Sequence, residues 1–340
     1  MPQATHNARE CDNASRTRTA PNTHHAPRRV LYQARARRTA LDALHTLHVS
    51  GGVTMSVQWI RPSRIEYLLQ EDFSGIDITS DLLLSDVPHA RLEFYARTDG
   101  MVCCTEEAEA IAHMRQLDVV LTQESGTPVK AFEPFFAVEG AAQNVHSVWK
   151  VCMNLFEHYS ALTTKTDTMV RAIHAINPHV NLYVTRKSIP GTRDLSTKAI
   201  LAGGAFVHRL GLAETILIFE EHRVLMGGKQ ALLNQLPSLK REACEKKIFV
   251  ECAEADAAEY LAAGADGIQL DKLSPKQAAH TIARLRAQFP HATLTIAGGI
   301  NDTNCQEYAA SGADGLVTSA PLYAPPLDMG VSMTPVSAYY

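Results

Sequence analysis

In the second half of the chain, apolar residues fall into short continuous runs separated by longer stretches of mixed character. After Asn177 these runs occupy 182–184, 216–219, 248–250, 267–270, 294–297 and 315–317, and each is followed by a stretch with helical spacing. Runs this short and this largely apolar predict strands of a buried sheet, and their alternation with helices predicts βα units around a parallel sheet. Ahead of them the pattern is less regular. Residues 62–70 predict an amphipathic helix with Ile65, Leu68 and Leu69 on one face, while 91–103 and 117–124 predict strands from their β-branched and aromatic content. Residues 141–176 predict two helical stretches, the first carrying Val148, Val151, Cys152, Leu155 and Phe156. This front half reads as a small α+β layer. An internal echo supports the barrel reading of the rest: Tyr260-Leu-Ala-Ala-Gly264-Ala-Asp266-Gly-Ile returns 48 residues later as Tyr308-Ala-Ala-Ser-Gly312-Ala-Asp314-Gly-Leu. Each copy orders a helix end, a glycine turn and a strand, with Gly supplying the cap geometry and Asp opening the next turn.

Composition changes the picture mainly at the front. The 340 residues are 46% hydrophobic and 20% charged with a formal charge of -4, an ordinary globular balance. Residues 1–54 hold eight Arg, no Lys and three acids, a net of +5, which leaves -9 on residues 55–340. That first segment has little clustered apolar surface with which to offset the entropy of ordering, so disorder is expected there. Three accounts fit it: a basic tail for nucleic acid or membrane, an Arg-rich transit peptide, or translated upstream sequence with the start at Met55. The last is favoured, because Ser50-Gly51-Gly52-Val53-Thr54 is what a purine-rich ribosome-binding site would encode. Tyr32 is the segment's one aromatic and the remaining body is acidic, so no nucleic-acid partner is expected. The longest apolar stretch, 199–207, is nine residues with two glycines, against about 20 for a membrane span. Seven scattered cysteines with no CxxC pair predict reduced thiols in a cytoplasmic protein. Cys103-Cys104 reads as buried packing, and His146, His158 and His174 as packing or surface residues rather than metal ligands.

Barrels of βα units carry their chemistry where strands end. Here the ends are Arg186 and Lys187, Glu220 and Glu221, Glu251, Asp271, Gly298 and Gly299, and Thr318 and Ser319. Glu251 and Asp271 end successive strands, a placement suited to one hard cation such as Mg2+ shared with substrate phosphates. Gly298-Gly299 precedes a helix expected to open at Asn301-Asp302, so bare amides can receive a phosphate. The opposite charge lies in Arg186, Lys187, Arg193, Lys198, His208 and Arg209, which predict an anionic-ligand site because they flank a strand end and a Gly-Gly break. His222 with Glu220 and Glu221 lacks a third side to its set and is not expected to hold a metal.

Thr185-Arg-Lys-Ser-Ile-Pro190-Gly-Thr-Arg193, Lys198-Ala, Ala202-Gly-Gly-Ala205, His208-Arg-Leu-Gly-Leu212 and Ile216-Leu-Ile together resemble the central motif of type II phosphoribosyltransferases, the quinolinate phosphoribosyltransferase family. The resemblance extends through Glu71-Asp72, Asp77-Ile-Thr-Ser80, Val250-Glu251, Leu270-Asp271 and Gly298-Gly299-Ile300, and so covers 57–335. Within the family the chain is most similar to the pyrophosphorylases of molybdenum-transport loci, ModD, through Trp149-Lys150 and Phe219-Glu220-Glu221-His222.

That resemblance implies an N-terminal α/β sandwich domain over 55–162, an open (β/α) barrel over 163–325 and a C-terminal segment, 326–340, returning to the first domain. It implies a homodimer in which Lys150 crosses the interface, and transfer of phosphoribosyl from phosphoribosyl pyrophosphate to a heterocyclic acid or base with release of pyrophosphate. Lys187, Glu251 and Asp271 would be catalytic. Lys150, Thr185, Arg186, Lys187, His208, Arg209 and Phe219 would hold the acceptor. Ala297, Gly298, Gly299, Thr318, Ser319 and Ala320 would hold the 5′-phosphate, and Glu251 and Asp271 the ribose hydroxyls and Mg2+. Three departures touch the acceptor and phosphate pockets. Phe219-Glu220-Glu221-His222 stands where quinolinate enzymes carry Lys-Asp-Asn-His, Lys150 replaces the arginine that crosses the dimer, and Ala297 replaces a serine before the Gly-Gly pair. These argue against quinolinate as the acceptor more than against phosphoribosyl transfer. The alternative is a non-catalytic relative that binds an oxyanion or nucleotide in molybdenum handling.

Overall fold

The computed structural model describes residues 46–49, 53–56 and 59–336. The expectations for residues 1–45 and 50–52 lie outside the described residues. The strand β1 (Thr46–Val49) pairs antiparallel with β2 (Val53–Ser56), with Leu47 opposite Met55. Half of the residues in these two strands are β-branched, a composition that favours strand pairing.

The front half begins with α1 (Pro62–Gln70), where Pro62 fits the first turn and Ile65, Leu68 and Leu69 are buried as the spacing predicted. In α2 (Ile78–Leu83) the N-cap is Asp77, whose carboxylate accepts from Ser80 N at 3.1 Å, Ser80 Oγ at 2.6 Å and His146 Nδ1 at 2.7 Å. There follow β3 (His89–Ala96), β4 (Gly100–Met101), α3 (Thr105–Met114), β5 (Asp118–Thr122), β6 (Pro128–Val129) and β7 (Pro134–Ala141). The strand expected over 91–103 therefore stops at Ala96, and Val102, Cys103 and Cys104 continue as a buried connection.

Residues 142–176 form one helix, α4 (Ala142–Ile176), rather than the expected two. The polar residues in the middle of this helix are used for packing. Thr163 and Thr166 bond back to the carbonyls of Tyr159 and Leu162, and Ser160 Oγ accepts from Cys103 N at 3.0 Å. Phe156 on this helix meets Phe94 and Phe135 edge-on at 5.1 and 5.0 Å, giving the front half an aromatic core.

The back half contains β8 (Asn181–Val184), α5 (Arg193–Ala202), β9 (Phe206–Val207), β10 (Ile216–Ile218), α6 (Glu220–Met226), α7 (Lys229–Glu242), β11 (Ile248–Cys252), α8 (Ala257–Ala262), β12 (Gly267–Asp271), α9 (Pro275–Gln288), β13 (Thr293–Ala297), α10 (Cys305–Ala309) and β14 (Gly315–Thr318). Seven strands form one parallel sheet in the order β10-β11-β12-β13-β14-β8-β9. Its edges, β10 and β9, do not pair, so the sheet is a half-barrel with an open side. The last strand, β15 (Met329–Pro335), leaves this sheet and pairs with β3 in the antiparallel sheet β15-β3-β7-β5.

The repeated corners have a definite job. Asp266 Oδ2 accepts from Ile248 N at 2.9 Å and Asp314 Oδ2 from Leu294 N at 2.6 Å, so each aspartate fastens the start of the preceding strand. Gly264 and Gly312 supply the positive φ, 112° and 80°, that the corner requires. Strand residues alternate: Val250, Ile268, Leu270, Leu294, Ile296 and Leu316 are fully buried, while Glu251, Gln269, Asp271 and Ala297 lie on the other face.

Candidate active site

The carboxyl ends of the parallel strands surround a cleft of about 810 Å3. Thr185, Arg186, Lys187, His208, Arg209, Phe219, Glu251, Asp271, Ala297, Gly298, Gly299, Thr318, Ser319 and Ala320, all expected from the sequence, line it. Lys150 does not. It lies exposed on α4 with its Nζ 4.6 Å from the centroid of the Trp149 ring.

One side of the cleft is cationic. Arg186 and Lys187 follow β8, Arg193 opens α5, and Arg209 follows β9. The Arg209 guanidinium is buried and sits 5.9 Å from the centroid of Phe219. His208 belongs to this group by position but not by charge. Burial, then Arg209 and Arg186, push its pKa down to about 4, so the imidazole is neutral at neutral pH.

Lys198 departs from the expected cluster altogether. It is 1% exposed on α5, and its Nζ meets Glu106 at 2.7 Å and Glu107 at 2.5 Å on α3. Its partners stand some ninety positions earlier in the chain, so no local pattern reveals that this lysine faces inward.

The facing side is acidic. Burial raises the pKa of Glu251, the neighbouring Asp271 raises it further, and a hydrogen bond from Gln269 Nε2 opposes both. The main-chain carbonyl of Glu251 accepts from buried Arg223 Nη1 at 2.6 Å. Asp271 Oδ2 lies 2.8 Å from Lys272 Nζ, and Lys272 itself has a φ of 57°. Gln269 and Lys272 line the cleft without having been singled out in the sequence, and Asn301, named there as a helix start, lines it too. Gln269 could have been found by counting two residues back from the strand end, where side chains return to the same face.

Gly298 and Gly299, with φ of 94° and 74°, complete the rim with bare main chain. A Cβ at Gly298 would stand 2.7 Å from Lys272 Cγ, 2.8 Å from Lys272 N and 2.9 Å from Asp271 Oδ1, so glycine is required there on two grounds. The expected helix at Asn301-Asp302 starts later, at Cys305 in α10, which has five residues. Asn301 and Asn304 are occupied in folding the intervening turn: Asn304 Oδ1 accepts from Asn301 N at 2.8 Å, and Asn304 Nδ2 donates to Gly299 O at 3.0 Å. The phosphate-binding potential therefore lies in the glycine turn and the Thr318–Ala320 segment. Thr318 Oγ1 donates to Ile300 O at 2.6 Å and accepts from Ala320 N at 3.0 Å, which ties the two together.

Two buried polar atoms of residues lining the cleft, Thr185 Oγ1 and Gln269 Oε1, have no hydrogen-bond partner in the protein. No cluster of three or more His, Cys, Asp or Glu suited to a metal occurs among the described residues. Two hard carboxylates that repel one another, Glu251 and Asp271, nevertheless match the Mg2+ habit of taking one or two carboxylates and drawing its other ligands from phosphate and water. His222 is committed elsewhere, its Nδ1 accepting from Phe219 N at 3.0 Å, and Glu220 pairs with Arg223. Glu71 and Asp72 line a separate cavity of about 540 Å3 with Arg64 and His158.

Comparison with known proteins places this geometry in a family. The description "Quinolinate phosphoribosyl transferase, N-terminal domain" matches residues 77–160, and "Quinolinate phosphoribosyl transferase, C-terminal domain" matches 162–332. The protein named "Putative pyrophosphorylase ModD" from Escherichia coli O157:H7 is 35% identical over 281 residues, covering 82% of this chain and 99% of that protein. The carboxylating nicotinate-nucleotide pyrophosphorylase of Rattus norvegicus is 26% identical over 270 residues, covering 78% and 88%. The structure of the nicotinate-nucleotide pyrophosphorylase of Francisella tularensis has the same fold, with a TM-score of 0.73 at 21% identity over 82% of this chain and 99% of that one. With both halves matched, and in chain order, the protein belongs to the quinolinate phosphoribosyltransferase family.

Proposed function

We propose that the protein transfers phosphoribosyl from phosphoribosyl pyrophosphate to a heteroaromatic acid, releasing pyrophosphate. The observation that carries this reading is the division of one cleft into a cationic side (Arg186, Lys187, Arg193, Arg209) and a carboxylate side (Glu251, Asp271), with the Gly298-Gly299 turn on the rim. A bond forms between the acceptor ring nitrogen and ribose C1′ as the C1′–O bond to pyrophosphate breaks and its electron pair leaves with pyrophosphate. The transition state is a ribosyl cation in character, so the residues have little covalent work and act by position and charge.

In this reading Arg186 and Arg209 grip the acceptor carboxylate, which suits their forked donors, and Lys187 presents a compact charge to carboxylate or pyrophosphate. Glu251, steadied by Gln269 and by Arg223 through its own main chain, faces the ribose with Asp271. The Gly298-Gly299 turn and Thr318–Ala320 receive the 5′-phosphate. Mg2+, held by Glu251 and Asp271, would offset the charge of the departing pyrophosphate. Phe219 offers a ring face where a second cation would favour a dicarboxylate, which weighs against quinolinate itself. Lys150 would serve the site of a second copy in a homodimer.

Calorimetry with phosphoribosyl pyrophosphate and Mg2+ tests the assignment. Binding lost in Asp271→Asn supports it, and binding unchanged by that substitution contradicts it. Lys187→Ala is expected to reduce turnover far more than Phe219→Lys; equal losses would undo the division of the pocket.

A further inference from the structure

The acceptor side of the cleft does not end at the strand tips. Beneath it lies a chamber of about 240 Å3 whose walls include Tyr183, Leu217, Phe249, Thr293 and Thr295. Cross-strand register puts these residues on the inner face of the half-barrel: Leu217 neighbours Phe249, Phe249 neighbours Gly267, Gly267 neighbours Thr293, and Gln269 neighbours Thr295. His208 and Leu217 line both the cleft and the chamber, so the two spaces meet at these side chains.

The chamber exists because of where two aromatic rings rest. A Cβ at Gly267 would clash with the Phe249 ring, and one at Gly315 would stand 2.5 Å from Tyr183 Cε2. The rings therefore lie against glycines on the neighbouring strands instead of crossing the axis, where the interior of a closed (β/α) barrel is filled by layers of branched side chains. The wall is two rings, a leucine and three threonines beside an uncharged His208, with Lys247 and Asp314 at the strand starts.

Building on the transferase reading of the cleft, we propose that the acceptor is a fused bicyclic heteroaromatic monocarboxylic acid. Its carboxylate stays with Arg186 and Arg209, and its second ring passes between His208 and Leu217 into the chamber. A single-ring acid would leave this apolar space to water.

The test is calorimetric binding to the full chain of pyridine-2-carboxylate, quinoline-2-carboxylate and isoquinoline-3-carboxylate, with pyrophosphate release measured in parallel. At least one bicyclic acid is expected to bind about tenfold more tightly than the single ring, the scale of burying a few apolar carbons. Thr295→Leu and Thr293→Leu, which fill the chamber from two positions outside the cleft, should each erase that advantage while leaving pyridine-2-carboxylate binding unchanged. Equal or weaker binding of both bicyclic acids overturns the proposal, as does an advantage that survives both substitutions. If the single-ring acid still supports pyrophosphate release, the transferase reading stands without the chamber. Failure of all three acids to bind overturns both.

Discussion

At Gly298 a single methyl group would reach Lys272 and the carboxylate of Asp271 together. Gly298→Ala is therefore expected to weaken phosphoribosyl pyrophosphate binding by at least about tenfold, in excess of the roughly 1 kcal/mol that a left-handed alanine costs the fold; calorimetry beside urea denaturation separates the two. His208 gives a second prediction at this scale. Burial, Arg209 and Arg186 all disfavour its imidazolium, so its proton leaves near pH 4 in the folded protein and near the ordinary 6.5 in the unfolded chain. The unfolded state then binds more protons between those values, so this group costs stability as pH falls from about 6.5 to 4, and acid binding stays flat from pH 6 to 8. An NMR titration of His208, assigned with His208→Gln, would show an ordinary midpoint near 6.5 if the account is wrong. Arg186, Glu251 and Asp271 were legible because a charged residue after an apolar run marks the neighbourhood of a strand's end, and Gly298 because a glycine pair follows such a run. Gln269 was hidden inside such a run, and the neutrality of His208 depends on a burial that no neighbouring residue encodes.

Elements were legible where one short-range rule decides them. Pro62 and the Ile65/Leu68/Leu69 stripe fixed α1, and the Gly-Ala-Asp corners marked two strands, because propensity and packing agree there. The long helix α4 was read as two stretches, yet it runs unbroken through Ser160, Thr163 and Thr166, all three buried in the fold. Lys198 on α5 was misread for the same reason, since the partners that take it inward are on α3. Replacing it by alanine would leave Glu106 and Glu107 buried without their cation, and should cost about 3–5 kcal/mol in urea denaturation; a loss under about 1 kcal/mol would show the cluster to be dispensable. Burial alone would raise the pKa of Glu106, but Lys198 and Ser125 outweigh it and hold it at about 2. Its contribution is thus complete above the ordinary carboxylate range near pH 4.5 and fades as pH falls toward 2, and Glu106→Gln should flatten that part of the acid unfolding curve.

At the scale of the molecule, the edges β9 and β10 of the half-barrel do not pair, and Lys150 does not line the cleft of its own chain. If a second copy supplies Lys150, mixing inactive Lys150→Ala with inactive Asp271→Ala should restore part of the activity, because one site in each mixed dimer is then intact. No recovery after subunit exchange would place Lys150 outside the reaction. The succession of βα units was readable from alternation alone, whereas the return of the C-terminal segment, where β15 pairs with β3 more than two hundred positions earlier, was implied by the family resemblance and not by any local pattern.

Transfer of phosphoribosyl in the charge-divided cleft can be measured directly. Its most direct measurement is pyrophosphate release from phosphoribosyl pyrophosphate with Mg2+ across single-ring and fused heteroaromatic acids, in the native chain and in Asp271→Ala. Release is expected with at least one acid and none from the variant. Absence of release with every acid, together with anion binding that survives Asp271→Ala but is lost in Arg186→Ala, would contradict phosphoribosyl transfer and identify the cleft as an oxyanion binder.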